Sequence, residues 1–206
     1  MSKENGLFIV VLWLVLCTLQ IIGIDYFYFD RSLLEQGQYW RLLTAHFVHL
    51  NLIHLALNLA GLSLVLIIFD RTWTLVEWGS LIIGSAVAQS IAFYYVLPDM
   101  KAYVGFSGVI HSLYVAGAIF FIKNNADRCL GGILLVLVTL KLLTENLGQG
   151  ISMTESMIGG HVLVEAHLYG AIVGLIFAVT NISFKTIKNT TIILFYYIDY
   201  EFIIKI

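Results

Sequence analysis

The chain has 206 residues, 60% of them hydrophobic and 12% charged, against roughly 25% charged in an average soluble domain. With a mean hydropathy of +0.91, a soluble globular enzyme and a disordered chain are both excluded. A formal net charge of −2 without a basic block leaves nucleic acid no electrostatic footprint. One proline and no Gly/Ser tract exclude a linker-joined array. Cys17 and Cys129 form no CxxC pair and read as apolar filler. The chain reads as an all-α polytopic membrane protein.

A spanning helix needs about 20 mostly apolar residues, and six stretches qualify. The first is Leu7 to Ile24, kept as an anchor because it lacks a small-residue cleavage site. A polar segment, Asp25 to Thr44, follows. The second span starts near His49 or Asn51 and ends at Phe69. The third runs from Leu75 to Leu97 and stops at Pro98, which would break a continuing helix. The fourth covers Ser107 to Ile122 and the fifth Leu130 to Leu147. After a Gly-rich loop, Gly148 to Gly160, the sixth runs from Val162 to Ile182. Residues 1–190 are therefore expected to form one six-span membrane domain. The tail, 191–206, is apolar but carries Asp199, Glu201 and Lys205, which suits an interfacial segment better than a seventh span. With the N-terminus in the cytoplasm, Lys3, Arg71, Lys123, Arg128, Lys185, Lys188 and Lys205 fall inside. Arg31, Arg41, Lys101 and Lys141 do not. That asymmetry favours both termini inside.

Polar groups inside spans are expensive, so each is a candidate functional site. His46, His49, His54 and Asn58 enter and line the second span, and His54 and Asn58 share one helix face. Gly105-Phe106-Ser107-Gly108 opens the fourth, with His111 one turn on. Glu165-Ala166-His167, then Gly170 and Gly174, lie in the sixth. Each also has an ordinary structural reading. Ser107 suits a helix N-cap, His54 and Asn58 suit interhelical hydrogen bonds, and the two glycines suit close helix packing. Taken together, they point elsewhere. A serine, a histidine and side-chain donors on three helices, at similar depth, are what acyl transfer requires.

At these residues the sequence resembles the rhomboid intramembrane serine proteases. The likeness rests on Trp40-Arg41, His49, His54-x-x-x-Asn58, Gly105-x-Ser107-Gly108 and Ala166-His167-x-x-Gly170-x-x-x-Gly174. It extends from Trp40 to Gly174 and is most similar to the rhombosortases. The resemblance implies a six-transmembrane-helix bundle with Ser107 as nucleophile and His167 as general base. His54 and Asn58, with the Ser107 N–H, would form the oxyanion site. Gly105 would shape the entry loop, Phe106 and Gly108 would flank the serine, and His49 would brace the first loop. It also implies a bacterial inner membrane, an active site open to the periplasm, no cofactor and no metal. The implied partners are the lipid bilayer and exported proteins carrying C-terminal Gly-Gly anchors.

Two positions depart from the family pattern. His111 stands where many rhomboids place a tyrosine that packs on the catalytic histidine. Gln38 stands where the family's arginine-bracing Glu is found. Glu165 points about 200° away from His167 on an ideal helix, which favours a Ser–His dyad with Glu165 in specificity or helix pairing. No His-Glu-x-x-His motif supports a zinc protease, and a metal held by the second-span histidines would leave Ser107 unexplained. A catalytically inactive relative that binds membrane segments is the alternative, and a transporter is the third class.

Overall fold

The structure is a computed structural model that describes residues 3–70, 72–123, 127–147 and 153–181. Its long helices follow the six hydrophobic stretches in order: α1 (Lys3–Ile22), α4 (Leu52–Ile68), α5 (Leu75–Val96), α6 (Ser107–Lys123), α7 (Arg128–Leu147) and α9 (Val164–Asn181). Among the described residues, α1, α5, α7 and α9 are each long and apolar enough to cross a membrane. Helix α4 meets the same test only together with Arg41–Phe47, from which it is bent by 90°. Helix α6 is apolar but has 17 residues, about 26 Å at 1.5 Å per residue. This is a helical, multi-pass membrane fold.

The ends of these helices are set by local chemistry. Asn51 caps α4, its side chain accepting from the His54 N–H at 3.0 Å. Thr74 and Glu77 form a capping box at the start of α5, satisfying N–H groups that have no intrahelical partner. The core lies where α4, α5 and α6 meet, around Leu62, Phe69, Trp78, Leu81 and Leu113. By contrast, α1 and α7 turn rows of Leu, Val and Ile outward, as lipid-facing helices do.

The connections hold more structure than expected. Segment 25–44, read as a polar link, contains helices α2 (Arg31–Glu35) and α3 (Arg41–Thr44) and strand β1 (Phe29–Asp30). β1 pairs antiparallel with β2 (Ala102–Tyr103), Phe29 opposite Tyr103. Hydropathy cannot register such a short pair, because its partners are over 70 residues apart. Arg31 then fastens this loop to the end of α5, donating to the carbonyls of Phe93, Tyr94 and Leu97 at 2.9–3.0 Å. A cation there also faces the negative end of the helix dipole. Likewise the Gly-rich loop contains α8 (Met153–Ile158), and the last helix starts at Val164 rather than Val162. The expected tail, 191–206, lies outside the described residues.

Candidate active site

Helix α6 begins at Ser107, so the N–H groups of its first turn have no helical carbonyl to bond. The preceding Gly105 sits at φ +127°, a conformation that favours glycine. Its N–H donates to the Ala45 carbonyl at 3.2 Å, and its own carbonyl accepts from the Tyr103 hydroxyl at 2.8 Å. Burial raises the Tyr103 phenol pKa, so the group stays protonated and donates. Phe106 turns away into the core, edge-on to Phe47 at 5.3 Å.

Helix α9 comes against α6 because there are no side chains between them. A Cβ at Gly170 would run into the Gly108 carbonyl, and one at Gly174 into the Ser112 carbonyl. A Cβ at Gly108 would in turn meet the Ala166 carbonyl at 2.8 Å. That contact sets His167, 4% exposed, with Nε2 at 2.9 Å from Ser107 Oγ. The imidazole of His111 lies flat on that of His167, with ring centres 4.2 Å apart and planes at 16°. Its Nδ1–H donates back to the Ser107 carbonyl at 2.7 Å.

A cavity of about 620 Å³ opens beside Ser107, lined also by His54, Tyr103, Val104 and His161. The Leu50 backbone N–H donates to His54 Nδ1 at 3.3 Å. A neutral His54 therefore carries its proton on Nε2, the edge facing Gly105. Asn58 is placed differently. It is buried outside this cavity, and its Nδ2 donates to the His54 carbonyl at 2.9 Å. His49 stands edge-on to the His54 ring at 5.0 Å, and its backbone is clasped by the Gln20 side chain of α1 at 2.8 and 2.9 Å. Arg41 braces the first loop from within. That guanidinium donates to the carbonyls of Tyr28 at 2.7 Å and Asp25 at 3.0 Å, and to Gln38 Oε1 at 2.8 Å. The amide of Gln38 thus provides a neutral acceptor for the arginine at the position where the family pattern has a carboxylate.

A rhomboid-domain family model matches residues 36–184, well over half of the chain. The chain belongs to the rhomboid family. The rhomboid protease GluP of Bacillus subtilis (strain 168) is 27% identical over 137 residues, covering 65% of this chain. The aligned part is 25% of that relative, so the chain spans about a quarter of its length.

One neighbour in this rhomboid site escapes the sequence reading. Glu145, near the end of α7, accepts from His167 Nδ1–H at 2.8 Å through Oε2, while its Oε1 pairs with Lys141. Its signal was a Lys-x-x-x-Glu pair inside an apolar span, where i,i+4 ions face each other. Glu165, by contrast, is half-buried and is not a hydrogen-bond partner of His167. His111, Glu145 and His167 each offer a donor atom within 4.8 Å of the others. The two rings are stacked in nearly parallel planes, however, so one ion cannot lie in both ring planes as ligation by two imidazoles requires.

Proposed function

We propose that this chain is an intramembrane serine endopeptidase, a reading carried by the 2.9 Å contact between Ser107 Oγ and His167 Nε2. In this reading Ser107 Oγ attacks a peptide carbonyl carbon as its proton passes to His167 Nε2. The carbonyl π pair moves onto oxygen, toward which the Ser107 N–H and the His54 Nε2–H would donate, since His54 lines the cavity beside Ser107. Collapse breaks the C–N bond, and the imidazolium hands its proton to the departing amine. Water, deprotonated by the same histidine, then hydrolyses the acyl ester and restores the serine. Asn58 supports this site by fixing the His54 turn, and His111 by stacking on His167. His49 backs His54, and Gly108, Gly170 and Gly174 supply close packing.

The substrate we infer is a membrane-anchored exported protein with a Gly-Gly pair near the outer end of its C-terminal anchor. A helix hides its peptide carbonyls in internal hydrogen bonds, so an intact span cannot be attacked. Glycine costs about 1 kcal/mol relative to Ala in a helix interior, which eases local unwinding. The cellular setting that fits is a bacterial inner membrane. Both termini of a six-span domain, residues 1–190, would lie in the cytoplasm, with the site open to the periplasm.

The test is co-expression with a protein bearing a Gly-Gly, hydrophobic, Arg-rich tail. The tail should be lost with the wild-type chain and retained with Ser107→Ala or His167→Ala. A chelator should leave cleavage unchanged. If a Leu-Leu tail is cut equally well, the Gly-Gly preference fails and a broader rhomboid protease remains. If activity persists in Ser107→Ala, the serine mechanism fails.

A further inference from the structure

We infer that Glu145 is a positioning residue that turns the Ser107–His167 pair into a Ser–His–Glu triad assembled from three helices. The inference rests on the serine-protease reading above. Its observation is a chain of contacts running from α6 through α9 to α7. Ser107 Oγ meets His167 Nε2 at 2.9 Å, and His167 Nδ1 meets Glu145 Oε2 at 2.8 Å.

A carboxylate only accepts hydrogen bonds, so the Nδ1 of His167 must carry the proton in the neutral ring. The Nε2 lone pair is then free to face the Ser107 hydroxyl. Without an acceptor at Nδ1, the ring could place its proton on Nε2 instead. In that tautomer Nε2 is a donor and cannot take the serine proton. Glu145 also faces the positive charge that appears on the ring during attack. No proton moves to the carboxylate. It holds the ring and balances its charge, as the acid of a serine-protease triad does.

The burial pattern agrees. The side chain of Glu145 is 13% exposed and that of His167 5%. A lone carboxylate so placed within an apolar helix is costly unless paired. Glu145 divides its oxygens, Oε1 on Lys141 and Oε2 on His167. Lys141 is one turn back on α7 and 45% exposed, so its ammonium supplies the counter-charge from the more open side. Other titratable groups around His167 are His111 on α6, stacked on the ring, and His54 on α4. Glu165, on the helix of His167 itself, is not bonded to the ring.

The first measurement uses the wild-type chain in detergent or nanodiscs, with selectively 15N-labelled histidine. The Nδ1-protonated tautomer of His167, assigned by loss of its signals in His167→Ala, is expected. A ring protonated on Nε2 would overturn the triad. The second compares turnover in Glu145→Gln and Glu145→Asp. Glu145→Gln should lower kcat by about 100-fold or more, the upper reach being the roughly 10⁴-fold loss seen when a triad aspartate is neutralised. KM should stay within about threefold, because the substrate does not touch this residue. Glu145→Asp should recover part of the loss, and Glu145→Gln should cost nothing further in a His167→Ala background. A kcat for Glu145→Gln within twofold of wild type would leave a dyad. Fluorophosphonate labelling of wild-type Ser107 separates the two readings: failure to label sinks the serine-protease reading itself, whereas labelling with an indifferent Glu145 sinks only the triad.

Discussion

At the seam between α6 and α9, backbone rests on backbone through Gly108, Gly170 and Gly174. The loop between α1 and α4, which lines the same cavity, is held together and to the end of α5 by long side chains, with Arg31 and Arg41 donating into seven acceptors. The two regions fail differently. A glycine contact has no slack, since the group it excludes would overlap a carbonyl. An arginine clasp divides its strength among several bonds, and the loss of one is graded. The serine and histidine occupy the first kind of structure, where their separation must hold to a few tenths of an ångström. The cavity rim occupies the second, where the proposed substrate would be admitted.

The sharpest test of this contrast is a single methyl group. Gly170→Ala should abolish cleavage and destabilise the fold by about 1–3 kcal/mol, as overpacking does. Gly132 on α7 has nothing within 4 Å of where a Cβ would sit. There Gly132→Ala should leave cleavage intact and add up to about 1 kcal/mol of helix stability. Thermal unfolding in detergent beside a cleavage assay decides it. Equal effects would mean that the seam is not what positions the site.

Next in size are His54, the proposed side-chain donor beside the serine, and the Asn58 amide behind it. His54→Ala should lower kcat by roughly 100- to 1,000-fold, the usual cost of one oxyanion donor. Asn58→Ala should cost less, because that amide is turned onto the His54 carbonyl and lies off the cavity. Steady-state kinetics distinguishes the two, and a larger loss for Asn58 would reverse the assignment.

The loop predictions are smaller. Gln38→Ala removes one of three acceptors of the buried Arg41 guanidinium, at about 1–3 kcal/mol. It should lower the unfolding temperature while kcat of the folded fraction stays near wild type. Gln38→Glu should restore the stability. The least effect belongs to Asp30, which caps α2. Its carboxyl lies below its ordinary 3.8, chiefly because the Ser32 hydroxyl donates to it. A lowered folded-state pKa stabilises the fold above the ordinary value, and that contribution disappears as the pH falls below it. The difference between acid melts of wild type and Asp30→Asn should therefore begin to shrink as the pH falls below about 3.8 and vanish only below the lowered folded-state value.

Much of this molecule could be read along the chain. The six apolar stretches became the long helices because hydropathy is a property of neighbouring residues. Spacing of four put His54 under Asn58, and Gly170 and Gly174 on one stripe, because helical periodicity is equally local. The loop segments were less legible. Strand β1 depends on β2 across the whole length of α4 and α5, and α8 interrupts a stretch whose glycines suggested none.

The sequence by itself determined which residues lie in the long helices, which faces are polar, and which glycines permit close approach. Only the tertiary structure decided which acid serves His167. Glu165 is two residues away along the chain and Glu145 twenty-two, yet it is Glu145 that lies at 2.8 Å. Sequence distance misleads here because two steps along a helix turn a side chain about 200° from its neighbour. The rotation of α7 about its own axis depends on how Gly131 seats that helix against the backbone of α6 at Ala118 and Ile122. That contact between separate helices carries Glu145 to the ring, and no local pattern in either segment encodes it.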